Sequence, residues 1–441
     1  MRNHLLTLAA IVALISPLAR AGQQALDPTA ALLQTRDRLL ADLARLPRYT
    51  CVQSITRKYF GAPVHLRLPG CSDLIAAHDA RSHELSLRSW DRLRLEVAII
   101  ENTYAFSWVG APQFDKGNLE RMSGGGPMGT GDFGTFLLEI FRRAIMTFQG
   151  EEVLNGRRLL KYSYDMPIDR SGYNVKMGEG WVLTAYSGTF LLDPSTTDIT
   201  NLTVRTAELP QGGTGCLAVS EVDYGRTLIH DRLILIPRET RLRSIRRDGS
   251  ETLNLTTYSG CREYASKSRM LLEAPPDSAL TGAGPQPAPS TLLAEGLHLD
   301  TRIVTPIDSD TAWAGDPIEA VLRSPLHDNQ HNIKAPAGTR LHGRLVRVGH
   351  ESDPFDHFQI GVQLESVEIN GQTVPLRAAR YYRPNVMPGT RVSRLGPLTR
   401  DDPAAGIGTF IFRTDHLRLK QLDAEWVTIA PGEGATGEKN P

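Results

Sequence analysis

Apolar residues change their rhythm several times along the chain. Leu5 to Leu18 is an almost uncharged apolar run of 14 residues, with Arg2 and His4 before it and Ala19-Arg20-Ala21 after it. That layout predicts a secretory signal over residues 1–21 ending in an A-x-A cleavage site, because a bilayer-spanning helix needs about 20 apolar residues. No later stretch is apolar enough to span a membrane, so a mature chain starting near Gly22 is expected in the periplasm or secreted. Leu32, Leu33, Leu39, Leu40 and Leu43 then recur at helical spacing; Asp27 suits the cap, Pro28 the first turn, and Pro47 stops the helix.

Beyond Pro47 the period falls to two, the spacing of strands with one buried face. Leu93, Leu95, Val97 and Ile99 make one run, Tyr104, Phe106 and Trp108 a second, and Leu160, Tyr162, Tyr164 and Met166 a third. Residues 181–192, 199–207, 217–224, 228–235, 239–246 and 251–258 continue the pattern, parted by turn sequences such as Asp193-Pro194 and Arg247-Asp248-Gly249. Strand after strand through short links predicts antiparallel pairing in an up-and-down meander. One helix interrupts it: Phe133, Phe136, Leu137, Ile140, Phe141 and Ile145 share a helical face, with Thr130 or Asp132 as its cap.

In residues 274–291, 13 of 18 positions are Pro, Gly, Ala or Ser and no period survives, which marks a linker. Strands resume over 297–305, 318–323, 339–348, 358–369 and 374–381, with Asn370-Gly371 a strong hairpin signal, and again over 406–413, 417–419 and 426–429. So many strands in so short a segment predict a small β-barrel or sandwich. The chain therefore reads as mainly β: signal 1–21, antiparallel domain 22–273, linker 274–291, small β domain 292–430 and a disordered tail 431–441.

Length and charge narrow the function classes. The 441 residues suit two or three domains, and 49 basic residues balance 49 acidic ones. Without residues 1–21, which hold Arg2 and Arg20 and no acid, the sum is −2. Such a balance offers no electrostatic footprint for nucleic acid or an anionic surface. Cys51, Cys71, Cys216 and Cys261 fit an oxidising compartment; of three pairings, closure within each half of the sheet favours Cys51–Cys71 with Cys216–Cys261.

Catalytic motifs are absent. There is no G-x-S-x-G, and His83-Glu84 and His350-Glu351 are followed by Leu87 and Pro354 where H-E-x-x-H needs histidine. The Gly-rich run from Ser123 to Asp132 lacks the Lys-Ser/Thr ending of a phosphate loop and reads as a hinge. Asp308, Asp310 and Asp316 flank Ala312 and Trp313, which excludes an EF-hand loop; His327, His331, His350 and His357 fall in loop or strand contexts. No motif calls for a cofactor or a metal ion, and a non-enzymatic protein is expected.

Two resemblances can be named. The Gly188-Thr-Phe-Leu-Leu-Asp193-Pro194 segment, Leu202-Thr-Val-Arg205, Asp223-Tyr224-Gly225 and Leu235-Ile-Pro237-Arg-Glu-Thr240 belong to a helix, meander and Phe-rich-helix pattern over residues 29–265. That pattern resembles the lipoprotein-carrier superfamily, the LolA/LolB-like fold. The resemblance implies an antiparallel curved half-barrel with an N-terminal helix and a lid helix over an apolar concave face, and an acyl-chain-like ligand there. Trp90, Tyr104, Phe106, Trp108, Phe136, Ile140, Phe141, Tyr162, Tyr164 and Trp181 are then the candidate lining; the same aromatic periodicity also describes an ordinary filled core. Residues 297–430, with Thr305-Pro-Ile-Asp-Ser-Asp310, Ala335-Pro-Ala-Gly338-Thr-Arg-Leu-His-Gly343 and Trp426-Val-Thr428, resemble the C-terminal periplasmic barrel of TrbI-type conjugation scaffold proteins. This second likeness implies an envelope assembly role with a protein partner.

Overall fold

The computed structural model describes residues 27–45, 48–62, 70–80, 85–100, 103–111, 134–177, 180–210, 213–264, 293–353, 355–381 and 405–430, with isolated positions between 111 and 134. The expected signal, the linker 274–291, the tail 431–441, Pro47 and the caps Thr130 and Asp132 lie outside the described residues.

The N-terminal lobe opens with α1 (Pro28–Ala44), where the Asp27 carboxylate accepts the Thr29 N–H as a cap should. There follow β1 (Tyr49–Gly61), α2 (Cys71–Asp79), β2 (Ser86–Ile100), β3 (Thr103–Trp108) and α3 (Gly134–Arg143). The meander continues as β4 (Ile145–Leu154), β5 (Arg157–Met166), β6 (Asn174–Met177), β7 (Gly180–Leu183), β8 (Tyr186–Asp193), β9 (Asp198–Thr206), β10 (Gly215–Ile229), β11 (Arg232–Arg246) and β12 (Glu251–Glu263). Apart from the β6–β7 hairpin, all of these strands form one antiparallel ladder in the order β4-β5-β8-β9-β10-β11-β12-β1-β2-β3. The sheet is large, curved and not closed into a barrel, as expected for a half-barrel.

Several boundaries differ from the sequence reading. Ile145 is the first residue of β4, not the last turn of α3, which ends at Arg143. The run 181–192 breaks at Thr184-Ala185 into β7 and β8. What read as three strands over 217–246 are two long ones folded at His230-Asp231, with His230 at φ 56°. The skipped period between them is a bulge in which Asp223 and Tyr224 face Glu239 and Pro237. Pro237 has no N–H to give the ladder, so the bulge accommodates it.

The C-terminal lobe comprises β13 (His298–Ile303), β14 (Ile307–Asp308), β15 (Pro317–Leu322), β16 (Leu326–His327), β17 (Ile333–Ala335), β18 (Arg340–Glu351), β19 (His357–Ile369), β20 (Gln372–Pro375), β21 (Ala378–Arg380), β22 (Ile407–Phe412), β23 (Arg418–Leu419) and β24 (Leu422–Thr428). Asn370 and Gly371, at φ 52° and 74°, make the turn from β19 to β20 that their sequence signals. The ladder runs β21-β24-β13-β15-β18-β19-β22, and no pairing joins β22 back to β21 among the described residues. Its core is an apolar cluster that includes Leu299, Leu345, Ile360, Val362 and Trp426; the Trp426 indole donates to Thr301 at 3.0 Å.

The two lobes share one sheet through β2, whose outer edge is divided among three partners. Leu95 to Ile100 pair with β3, while Ser89 to Asp91 pair with Glu351 to Gly349 of β18. Between them, Arg94 N–H donates to Ala314 O at 2.7 Å and Ala314 N–H to Arg92 O at 3.0 Å. Side chains reinforce the seam: Arg94 pairs with Asp316 at 2.8 Å, and Arg92 and Arg94 both stack over Trp313. Gly315, at φ 109°, is required there because a Cβ would stand 2.3 Å from Arg94 O.

The disulfides overturn the favoured pairing. Cys51 bonds Cys261 across β1 and β12, and Cys71 of α2 bonds Cys216 of β10. The reason is topological: β12 returns beside β1, so residues 210 apart in sequence have Cα atoms 4.1 Å apart. Closing loops of 210 and 145 residues contributes about 5 kcal/mol each on the chain-entropy account.

Candidate functional site: the inner face of the N-terminal lobe

Residues directly opposite one another in an antiparallel ladder share a face. One row of partners crosses eight strands: Tyr162, Phe190, Leu202, Val222, Thr240, Thr256, Ile55 and Leu93. α1 and α3 lie over the β5 end of this face. Ala31, Leu39, Leu137 and Ile140 join Leu160, Tyr162, Tyr164, Phe190 and Leu202 in one buried cluster. Rings dominate its contacts: Tyr162 stacks on Phe190 with centroids 5.0 Å apart, Phe141 meets Phe190 at 5.6 Å, and Phe136 stacks on Tyr186 at 5.8 Å. The hydroxyls are satisfied at the rim, Tyr162 donating to Pro28 O and Tyr164 to Thr203 O, both at 2.7 Å. Burial, with Asp27 nearby, pushes the Tyr162 phenol up to about 12.

A second apolar cluster covers the β1–β3 end, where Ile55, Leu93, Leu95, Val97 and Phe106 meet Ile234, Ile236 and Met122, with Tyr104 and Trp108 at its margin. The ten predicted lining residues are thus divided. Phe136, Ile140, Phe141, Tyr162 and Tyr164 come together under the helices, and Tyr104, Phe106 and Trp108 under the other end. Trp90 packs instead into the seam, with its ring against His350 and Phe358 of the C-terminal lobe. Trp181 stands 65% exposed on the β6–β7 hairpin, outside both clusters.

One row further along the strands the same face turns polar, which the sequence reading did not anticipate. The next row runs Ser220, Leu242, Asn254, Arg57 and Asp91. Arg57 and Asp91 are only 4% and 7% exposed and form a bidentate pair, Nε to Oδ1 at 2.7 Å and Nη2 to Oδ2 at 2.8 Å. The Tyr59 hydroxyl donates to Asp91 Oδ2 at 3.2 Å. Burial raises the Tyr59 phenol, and the Asp91 charge adds to it. Gln53 lies one row beyond Ile55, its amide 3.4 Å from the Tyr258 hydroxyl. The available signal was phase: Gln53 and Arg57 occupy the positions of β1 that alternate with Tyr49, Cys51 and Ile55, so polar groups stand in a buried register.

The other chemistry-bearing cluster is in the C-terminal lobe. Asp308, Asp310 and His416 bring ligand atoms within 4.8 Å of one another, and Ser309 Oγ is 3.3 Å from His416 Nδ1. Their atoms are engaged locally: Asp308 accepts the Asp310 N–H and Arg418 Nε. Ser309 and Asp310 both face Nδ1 of His416, whereas a catalytic relay uses the two imidazole nitrogens for different partners.

No protein-family profile and no curated protein matches this sequence. Two solved structures do match. One, assigned to an outer membrane lipoprotein-sorting protein domain of Vibrio parahaemolyticus, is 10% identical, with 54% of this chain and 95% of that one covered and a TM-score of 0.25. The other, a DUF1329 family protein of Desulfovibrio piger, is 11% identical, with 56% and 98% covered and a TM-score of 0.25.

Proposed function

We propose that this chain is a non-enzymatic extracytoplasmic carrier whose N-terminal lobe holds an apolar, acyl-chain-like ligand between the sheet and the helices α1 and α3. The observation that carries this reading is how differently sheet and cover are fastened. Both disulfides and every ladder bond secure strands or α2. α1 and α3 rest on the aromatic cluster through side chains: Arg226 to Asp42 at 2.9 Å, Tyr162 to Pro28 O, and Glu139 to the Gly172 N–H at 2.8 Å. Each such bond contributes about 1 kcal/mol. An acyl chain entering beneath them gains about 25 cal/mol per Å² of apolar surface buried, so a few methylenes offset the contacts they displace. The face beneath the helices is lined by rings that contact one another.

The test uses the mature full-length chain. It is expected to carry lipid visible by native mass spectrometry, or once delipidated to enhance N-phenylnaphthylamine fluorescence and lose that signal to an acyl-chain competitor. Failure of both measurements would end the carrier reading.

A further inference from the structure

The polar stripe carries an inference that rests on the carrier reading and sharpens it. Two buried side chains on this face of β1 have an atom with no hydrogen-bond partner among the described residues: Arg57 Nη1 and Gln53 Oε1. Arg57 and Gln53 are 4% and 2% exposed, so bulk water does not satisfy these groups. Both stand on the inner face of β1, four residues apart, on either side of Ile55, a member of the second apolar cluster. Native interiors rarely leave such atoms orphaned, because each carries its full desolvation cost. Other guanidinium atoms of Arg57 are spent on Asp91, and Gln53 Nε2 faces Tyr258. What remains is one donor group and one acceptor on the inner face of β1.

Charge decides what fits them. Arg57 and Asp91 neutralise one another in a bidentate pair, and the other members of the row are Asn254, Leu242 and Ser220. A carboxylate or phosphate head would meet Asp91 beside an Arg57 cation that Asp91 already neutralises. We propose that Arg57 and Gln53 form a head-group site for an uncharged amphiphile, one whose carbonyl accepts from Arg57 Nη1 and whose hydroxyl or amide N–H donates to Gln53 Oε1. Its hydrocarbon tail runs along the flanking clusters. Acyl esters and amides bearing a free donor are the matching ligand class.

Competition against N-phenylnaphthylamine on the full-length chain tests this with three probes of equal chain length: monopalmitoylglycerol, palmitate and hexadecane. Monopalmitoylglycerol is expected to displace the fluorophore at about tenfold lower concentration than either of the others, the size of a hydrogen bond to a charged donor in a dry site. Gln53→Leu should shrink that preference and the paired change Arg57→Leu with Asp91→Leu should abolish it, the fold of each being checked by circular dichroism. If the paired variant does not fold, the Gln53→Leu variant and the ranking on the unaltered chain still decide. Equal displacement by all three probes, or an undiminished preference in Gln53→Leu, would overturn the head-group site and mean that trapped water completes these atoms. Absence of any fluorophore uptake would sink the carrier reading, and the head-group site with it.

Discussion

In the C-terminal lobe the ladder curls until it covers its own face, and the space inside is filled to the centre by Trp426, fully buried, with Leu345, Ile360 and Val362 around it. In the N-terminal lobe ten strands stay open, and separate helices supply the cover. The first arrangement leaves its interior no alternative occupant. The second divides its interior into two apolar clusters with a polar row beside them, and its cover is bound more weakly than its wall. The difference is also covalent: all four cysteines lie in the N-terminal lobe and both bridges brace its wall. The open wall is braced covalently, and the lobe whose ladder curls over its own core carries no bridge.

The contrast between the lobes is most exposed at the bridges. Replacing Cys51 and Cys261 with Ala should cost the N-terminal lobe about 5 kcal/mol. Hydrogen exchange should rise in peptides from β1, β2 and β12 and stay unchanged in β13 and β24; uniform acceleration would show that the lobes do not differ in this way. Trp426→Ala should cost about 4 kcal/mol by opening a cavity in the filled lobe, read as a fall in urea midpoint, with the rise in exchange now in β13 and β24.

Acid provides a third handle, of about 3 kcal/mol. Burial would by itself raise the Glu251 carboxyl, but hydrogen bonds from His78 and Arg243 outweigh it and hold it at about 2. A carboxyl lowered on folding adds stability that is complete above its unfolded value near 4.3 and is lost as pH falls towards 2. Glu251→Gln should flatten that stretch of the stability curve, and an unchanged slope would refute the assignment. The smallest effect tests the cover: Arg226→Ala removes the ties to Asp42 and Asp198, at 2.9 and 2.8 Å, and should cost about 1 kcal/mol globally. Its sharper readout is selectively faster exchange in α1.

The sequence disclosed these features unevenly, for physical reasons. α1 was legible because capping Asp27, Pro28 and a leucine stripe are all local signals. So were β5 and the Asn370-Gly371 turn. β1 was not, because Tyr49–Gly61 alternates between buried and half-buried positions while its buried phase includes Gln53 and Arg57. The same feature hid the polar stripe, since a periodicity that counts only apolar residues discards it. Disulfide connectivity was beyond reach because Cys51 and Cys261 become neighbours only when β12 closes onto β1, a pairing that no local signal encodes. Of the candidate lining, the residues of α3 and β5 were grouped by shared phase; Trp90 and Trp181 carried the same signal but stand at a seam and on a hairpin.

The divided edge of β2 has a consequence for biosynthesis. Its inner neighbours and β3 can all be in place once the chain has been made as far as β12, yet the groove edge from Ser89 to Arg94 waits for residues 314 and 349–351. During that interval a nascent chain presents bare strand backbone beside Trp90, the kind of edge that recruits another strand. Fragments ending before β18 are therefore expected to be sticky in a way the finished protein is not, and whatever guards the nascent chain must shield that edge until the last lobe arrives.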